Sequence, residues 1–140
     1  MNEIIVGVDE TTTARDAALR AAELAAACDR TLHIVMAVPL HTSVEIYGIG
    51  RDIWRAEALD AAEKTVTTLA SDLGKVGCRV THTVLEGHPD RVLCDEAKRL
   101  EASIVVVGNR RVQGAKRVLG SIAMSVTRHA PCDVLVAHTT

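Results

Sequence analysis

The sequence Glu3-Ile4-Ile5-Val6-Gly7-Val8 decides the fold, together with the alanine-rich stretch from Ala14 to Ala27 that follows it. The first segment is a short and mainly apolar run, which is typical of a strand that is buried on both faces. The second segment places its apolar residues on one face at helical spacing. Thr13 stands before this segment, where an N-cap is expected. A buried strand followed by such a helix is the beginning of a β-α-β unit.

The same alternation continues to the end of the chain. Strands that are joined through helices run parallel, and their crossovers are right-handed. The sequence therefore predicts an α/β fold: one domain over residues 1–140, with an open five-stranded parallel sheet covered by helices on both faces. The predicted strands are Glu3–Val8, Leu32–Val38, Arg79–Leu85, Ser103–Val107 and Asp133–Ala137, and the predicted helices are Ala14–Ala27, Arg51–Gly74, Pro89–Leu100 and Ser121–His129.

Composition excludes several classes of function. The formal net charge is −2, so no strong overall field attracts nucleic acid or an acidic membrane surface. The sequence has no apolar run approaching the roughly 20 residues that a bilayer-spanning helix needs. The four cysteines are widely scattered, without the spacing of a zinc site or a redox dithiol. Free thiols and the absence of a signal-peptide pattern predict a cytoplasmic protein.

The segment that follows the fourth strand predicts an anion site. From Gly108 to Ser121 it carries three glycines, four cationic side chains and a Gly-Ser helix start. Glycines allow a close approach of backbone to phosphate, and a helix N-terminus offers unpaired N–H groups. Asp9 after the first strand would instead repel phosphate. Two alternatives stay open: the glycines make turns beside solvated cations, or Asp9 only complements the dipole of the first helix.

With these motifs in view, the chain resembles the universal stress protein family over essentially its whole length. The resemblance implies the strand order 3-2-1-4-5, which places the crevice for a ligand between strands 1 and 4. The matching motifs are Ile4-Ile5-Val6-Gly7-Val8-Asp9, Thr13-Ala14-x-x-Ala17, Gly87-x-Pro89, Ile104-Val105-Val106-Val107-Gly108 and Gly120-Ser121 through His129-Ala130-Pro131-Cys132-Asp133-Val134-Leu135-Val136.

The resemblance also implies a binding site for ATP or another adenine nucleotide, such as AMP or cyclic AMP, with magnesium accompanying the phosphates. In the nucleotide-binding branch of the family, Gly-x-x-Gly, nine residues and Gly-Ser wrap the phosphates. By position Asp9 would lie near the adenosine, Ala37 would meet adenine through its backbone, and Ile122 would offer an N–H group to phosphate. The implied site residues are Gly7, Asp9, Ala37, Val107, Gly108, Arg111, Gly120, Ser121 and Ile122.

The chain departs from that pattern in three ways. Arg111 stands where the second glycine is expected, the spacer after it has eight residues, and Ala123 replaces a hydroxyl residue. If Arg111 frames the crevice, cationic side chains replace backbone contacts with charge-assisted ones. If it fills the crevice, the chain is a dimeric interaction protein that binds no nucleotide. No metal and water-orienting set is evident, so we expect no catalytic residue and at most weak ATP hydrolysis.

Two further features concern partners and access to the site. The fifth strand is apolar on both faces and no helix follows it, so its edge invites pairing with another chain. We expect a homodimer through Val134, Leu135 and Val136, acting as a stress-response regulator on client proteins that the sequence does not identify. The long segment Pro39–Gly50 is predicted to be a loop that acts as a flap.

Overall fold

The computed structural model of this protein describes residues 2–9, 11–39, 48–110 and 119–139, except the side chains of residues 48, 49 and 110. Within these ranges five strands alternate with four helices. They are β1 (Glu3–Val8), α1 (Thr12–Ala27), β2 (Thr31–Val38), α2 (Gly48–Gly74), β3 (Val80–Glu86), α3 (Pro89–Leu100), β4 (Ile104–Arg110), α4 (Ser121–His129) and β5 (Asp133–Thr139).

The strands form one parallel sheet in the order β3-β2-β1-β4-β5. β1 lies at its centre, where Val6 is paired with Ile34 of β2 and with Val106 of β4. The predicted fold class and strand order are therefore confirmed. The order reverses between β1 and β4, and in sheets of this kind ligands bind outside the carboxyl ends of the strands at that point.

Alternate residues of the buried strands supply two apolar layers. Ile4 and Val6 pack with α1 and α2 on one face of the sheet, and Ile5 packs with α3 and α4 on the other. Because α1 turns alanines toward the sheet, its backbone lies close to the strands, and the buried positions have no exposed surface. These positions are Ala17, Ala18, Ala21, Ala22 and Ala25.

The starts of two helices differ from the prediction. Thr11, rather than Thr13, caps α1, and its hydroxyl accepts a hydrogen bond from the N–H of Ala14 at 3.2 Å. α2 begins at Gly48 instead of Arg51, although glycine has a weak helix propensity. The end of the predicted loop Pro39–Gly50 is therefore helical. Residues 40–47 lie outside the described residues, so the flap stays a prediction.

The two strands at the other side of the sheet are longer than predicted. Their pairing continues from Gly108 and Ala137 as far as Arg110 and Thr139. The Thr139 hydroxyl adds a hydrogen bond to the Asn109 carbonyl oxygen at 3.0 Å. The sequence placed the end of β4 at Val107, but the pairing with β5 extends the strand by three residues to Arg110.

Candidate functional site

A cleft of about 560 Å³ opens at the carboxyl ends of β1 and β4, within the range of small-molecule sites. Eight of the nine site residues that the sequence implied line this cleft. The ninth, Arg111, lies outside the described residues. The eight lining residues are Gly7, Asp9, Ala37, Val107, Gly108, Gly120, Ser121 and Ile122.

One end of the cleft is the N-terminus of α4. The first N–H groups of an α-helix have no partner within the helix, and the helix dipole is positive at this end. Ser121, Ile122 and Ala123 form this first turn and line the cleft. The exposed Ser121 adds a hydroxyl group. This end of the cleft is suited to bind an anionic group.

Asn109 holds the helix start in position, and sequence reasoning did not identify this residue. Its side-chain oxygen Oδ1 accepts a hydrogen bond from the backbone N–H of Gly120 at 2.9 Å. The bond joins the end of β4 to the N-cap of α4 across eleven positions of the chain. Asparagine after the predicted strand was visible in the sequence, but nothing local indicated which backbone group it contacts.

The end of the cleft next to α2 carries a carboxylate, Asp9, which also lines two adjoining clefts that no described α4 residue lines. Asp9 is exposed, and its Oδ1 accepts hydrogen bonds from the N–H group of Thr11, at 2.7 Å, and from the Thr11 hydroxyl. Thr11 in turn caps α1, so the cap also fixes the carboxylate. An ionised carboxylate accepts hydrogen bonds and repels phosphate. This end is therefore suited to a hydroxyl-bearing, uncharged part of a ligand.

Between the two ends the floor is apolar. Val107 is 4% exposed and packs in the same cluster as Val35 and Leu93. Leu93 approaches Gly7 so closely that a Cβ atom added to this glycine would lie 2.6 Å from the leucine Cδ1. The missing side chain at Gly7 therefore allows α3 to form one wall of the cleft. The sequence indicated the glycine but not the leucine that needs it.

A polar contact joins the two helices on that side. The Ser125 hydroxyl of α4 donates a hydrogen bond to Oδ2 of Asp90 in α3 at 2.7 Å. This bond lowers the pKa of the Asp90 carboxyl. Pro89, the first residue of α3, lines the cleft. The Asp90–Ser125 contact therefore links the α3 wall to the helix that supplies the anion-binding end.

Within the part of the chain that the structure describes, no group of three or more His, Cys, Asp or Glu side chains has an arrangement that could hold a metal ion. No helix there is long and apolar enough to span a bilayer.

Comparison with known proteins gives consistent matches over nearly the whole chain. The model of the universal stress protein family matches residues 1–138. Universal stress protein G of Salmonella typhimurium is 31% identical over 123 residues, which cover 86% of this chain and 87% of that protein.

Solved structures match the fold as well. A universal stress protein crystallised in complex with cAMP is 25% identical, with a TM-score of 0.78, and the match covers 99% of this chain and 98% of that one. The universal stress protein of Archaeoglobus fulgidus in complex with dAMP is 23% identical, with a TM-score of 0.67 and 97% coverage of both chains. At that identity the second match supports the fold alone.

Proposed function

Since this chain belongs to the universal stress protein family, we propose that the cleft between β1 and β4 binds an adenine nucleotide. One observation carries the proposal: a helix N-terminus and a carboxylate line one apolar-floored cleft, and the carboxylate, unlike the helix, also borders the clefts next to α2. A nucleotide has the matching asymmetry, with an anionic phosphate end and an uncharged nucleoside end. The similar protein that was crystallised with cAMP supports an adenine nucleotide as the ligand.

In this proposal the phosphates bind at the first turn of α4. The N–H groups of Ser121 and Ile122 donate to phosphate oxygens, as helix N-termini commonly do. Gly108 and Gly120 line the cleft, and the missing side chain of Gly108 allows α1 to approach β4, since an added Cβ atom would lie 3.2 Å from Cβ of Ala17. Arg111, which the family resemblance implies as a site residue, would supply a cationic side chain for the phosphates. Magnesium enters with the phosphates of ATP, since Mg²⁺ is usually held by substrate phosphates and one or two carboxylates.

The nucleoside occupies the other end. Asp9 accepts hydrogen bonds from the ribose hydroxyls, and the backbone of Ala37 contacts the edge of adenine. Val107 and Leu93 pack under the ring system, because both are apolar residues that line the cleft. Gly7 contributes by leaving space for Leu93. The carboxylate of Asp9 keeps the phosphates away from this end and so fixes the direction in which the nucleotide lies.

The biological role in this proposal is that of a stress-response regulator in the cytoplasm. The four cysteines are free thiols, which is usual for proteins of a reducing compartment. The regulator is a homodimer. β5 is an edge strand, and Leu135 on it is 42% exposed while Val134 and Val136 are partly buried. An unpaired apolar edge strand is a ready site for pairing with a second copy.

The test is calorimetric titration of the nucleotide-stripped protein with ATP, AMP and cyclic AMP, each with and without magnesium. Saturable binding of at least one of them at one site per chain is expected. Tighter binding of ATP in the presence of magnesium would identify the magnesium complex as the ligand. Absence of binding of all three at millimolar concentration would contradict the proposal and favour an interaction protein without a nucleotide.

A further inference from the structure

A second cleft, of about 630 Å³, opens next to the proposed nucleotide site, between α2 and the end of β2. We name it the Trp54 pocket. It is lined by two strand residues that are almost fully buried, by the indole ring of Trp54 and by three alanines of α2, whose side chains are small. These residues are Met36, Val38, Trp54, Ala58, Ala61 and Ala62.

The Trp54 pocket is continuous with the proposed nucleotide site. Four residues line both clefts: Asp9, Thr11, Ala37 and Pro89. None of the four belongs to α4, so the connection is at the nucleoside end and not at the phosphate end. A group attached to the base of a bound nucleotide can therefore extend from one cleft into the other without crossing the anion-binding turn.

The chemistry of the pocket restricts what that group is. Its inner surface is apolar, and an indole ring beside small side chains suits a flat or compact apolar group. Asp9 stands at the junction of the two clefts with its carboxylate held by Thr11. A negative charge there disfavours a second anionic group. The pocket is therefore suited to an uncharged group and not to further phosphates.

The wall that carries Trp54 is anchored to the sheet. The adjacent residue, Arg55, donates a hydrogen bond through Nε to Oε1 of Glu86 at 2.7 Å. Glu86 ends β3, so the contact joins the first part of α2 to the same edge of the sheet at which the nucleotide cleft opens. The contact therefore helps to hold the part of α2 that carries Trp54 against the sheet.

We propose that the Trp54 pocket receives an uncharged apolar or aromatic substituent on the base of an adenine nucleotide, so that the protein prefers base-modified nucleotides to unmodified ones. This inference rests on the proposed nucleotide function, because the nucleotide directs the substituent into the pocket. Burial of one aromatic ring stabilises a complex enough to tighten binding roughly tenfold or more.

The experiment compares AMP with N6-benzyl-AMP, and ATP with N6-benzyl-ATP, by calorimetric titration. The benzyl compound is expected to bind about tenfold more tightly than its parent. Trp54 is the only tryptophan in the chain, so its fluorescence is a second readout. The emission is expected to change on binding of the benzyl compounds and to change less with the parent nucleotides.

Two matched variants locate the effect. Ala61 is exposed and lines the pocket, so Ala61→Phe fills it without altering the core. This variant is expected to lose the tenfold preference and to keep the affinity for AMP. Ala56 is also exposed, but it lies on the opposite side of α2 from Ala58. Ala56→Phe is therefore expected to retain the preference.

The outcomes separate the two proposals. If AMP or ATP binds but the benzyl compound binds equally or less well, the pocket proposal is overturned and the nucleotide function stands. A preference that persists in Ala61→Phe would likewise overturn the pocket as its source. If neither member of either pair binds, both proposals fail together.

Discussion

Oδ1 of Asn109 and the backbone nitrogen of Gly120 lie 2.9 Å apart, so the end of β4 directly holds the start of α4. The bond fixes the helix turn that lies at the anion-binding end of the cleft. It also uses the N–H group of Gly120, which leaves the following N–H groups of the first turn for a ligand.

Asn109→Ala is therefore expected to weaken nucleotide binding by about fivefold, because the helix start is no longer held and roughly 1 kcal/mol of hydrogen bonding is lost. Titration calorimetry measures the change, and thermal unfolding reports the accompanying loss of stability. Asn109→Asp retains an acceptor but adds a negative charge beside the phosphates, so it should bind more weakly still. Unchanged affinity in both variants would show that this helix start does not bind the ligand.

A carboxylate at the N-terminus of α4 should compete with the phosphates. Ser121→Glu places a negative charge where the helix dipole favours it, so the fold should be at least as stable as before while nucleotide affinity falls by more than tenfold. Ser71→Glu is the control, since Ser71 is exposed in α2 and does not line the cleft. Equal affinity of the two variants for ATP would contradict the position proposed for the phosphates.

Most helices and strands could be predicted from the sequence, because residues within or next to each element mark its bounds. α3 and α4 have the predicted bounds, since Pro89 begins one and Pro131 follows the end of the other. The strand order came from the family resemblance, because pairing between distant strands leaves no local signal. The cap of α1 was wrong for a related reason. Three threonines occupy positions 11 to 13, and the contact with Asp9 favours the first of them.

The candidate site was predictable to a similar extent. Glycines and the Gly-Ser helix start mark it in the sequence, and the structure gathers them around one cleft. Asn109, Leu93 and Trp54 were not identified as site residues, because each acts through a contact with a distant part of the chain. Such contacts depend on the packing of α3, α4 and α2 on the sheet, which residue patterns do not specify.

Gly7→Ala should destabilise the protein through a steric clash. The added Cβ atom would lie 2.6 Å from Cδ1 of Leu93, so this buried side chain must move, and overpacking of this kind costs about 1–3 kcal/mol. Chemical denaturation measures the loss, and nucleotide affinity should fall with it because Leu93 lines the cleft. Gly120→Ala is the comparison, since its Cβ atom would meet Asn109 Oδ1 at an ordinary 3.6 Å. A larger loss of stability in Gly120→Ala than in Gly7→Ala would contradict this explanation.

His33 should make stability depend on pH. Its Nδ1 lies 2.7 Å from the Thr81 hydroxyl oxygen, and its Nε2 lies 3.8 Å from Oε2 of Glu96, which also binds Arg99. Burial is the main cause that lowers the pKa of His33 below its ordinary 6.5, with smaller contributions from Arg99 and His82, while Glu96 opposes the shift. The folded protein therefore favours the neutral imidazole.

Because the unfolded state binds the proton more readily, the stabilising contribution is present above pH 6.5 and is lost as the pH falls below it. Urea unfolding at pH 7.5, 6.5 and 5.5 should show that the free energy of unfolding declines as the pH falls. This decline should be smaller in His33→Gln than in the wild type. His88→Gln is the control, since His88 is exposed and its side chain makes no capping hydrogen bond. An equal decline in the wild type and in His33→Gln would exclude His33 as the cause.

The proposed dimer interface at the edge of β5 can be tested with a charged substitution. Leu135→Lys puts a charge on the exposed face of β5, and lysine on an edge strand opposes pairing with another chain. Leu19 is a matched control, because it is exposed to almost the same extent, 43% against 42%, but lies on α1. Sedimentation equilibrium should give a dimer for the wild type and for Leu19→Lys, and a monomer for Leu135→Lys. A monomeric wild type, or a dimer that persists in Leu135→Lys, would show that this edge is not the interface. Nucleotide affinity should be unchanged in the monomer, because neither Leu135 nor its neighbours on β5 line the cleft.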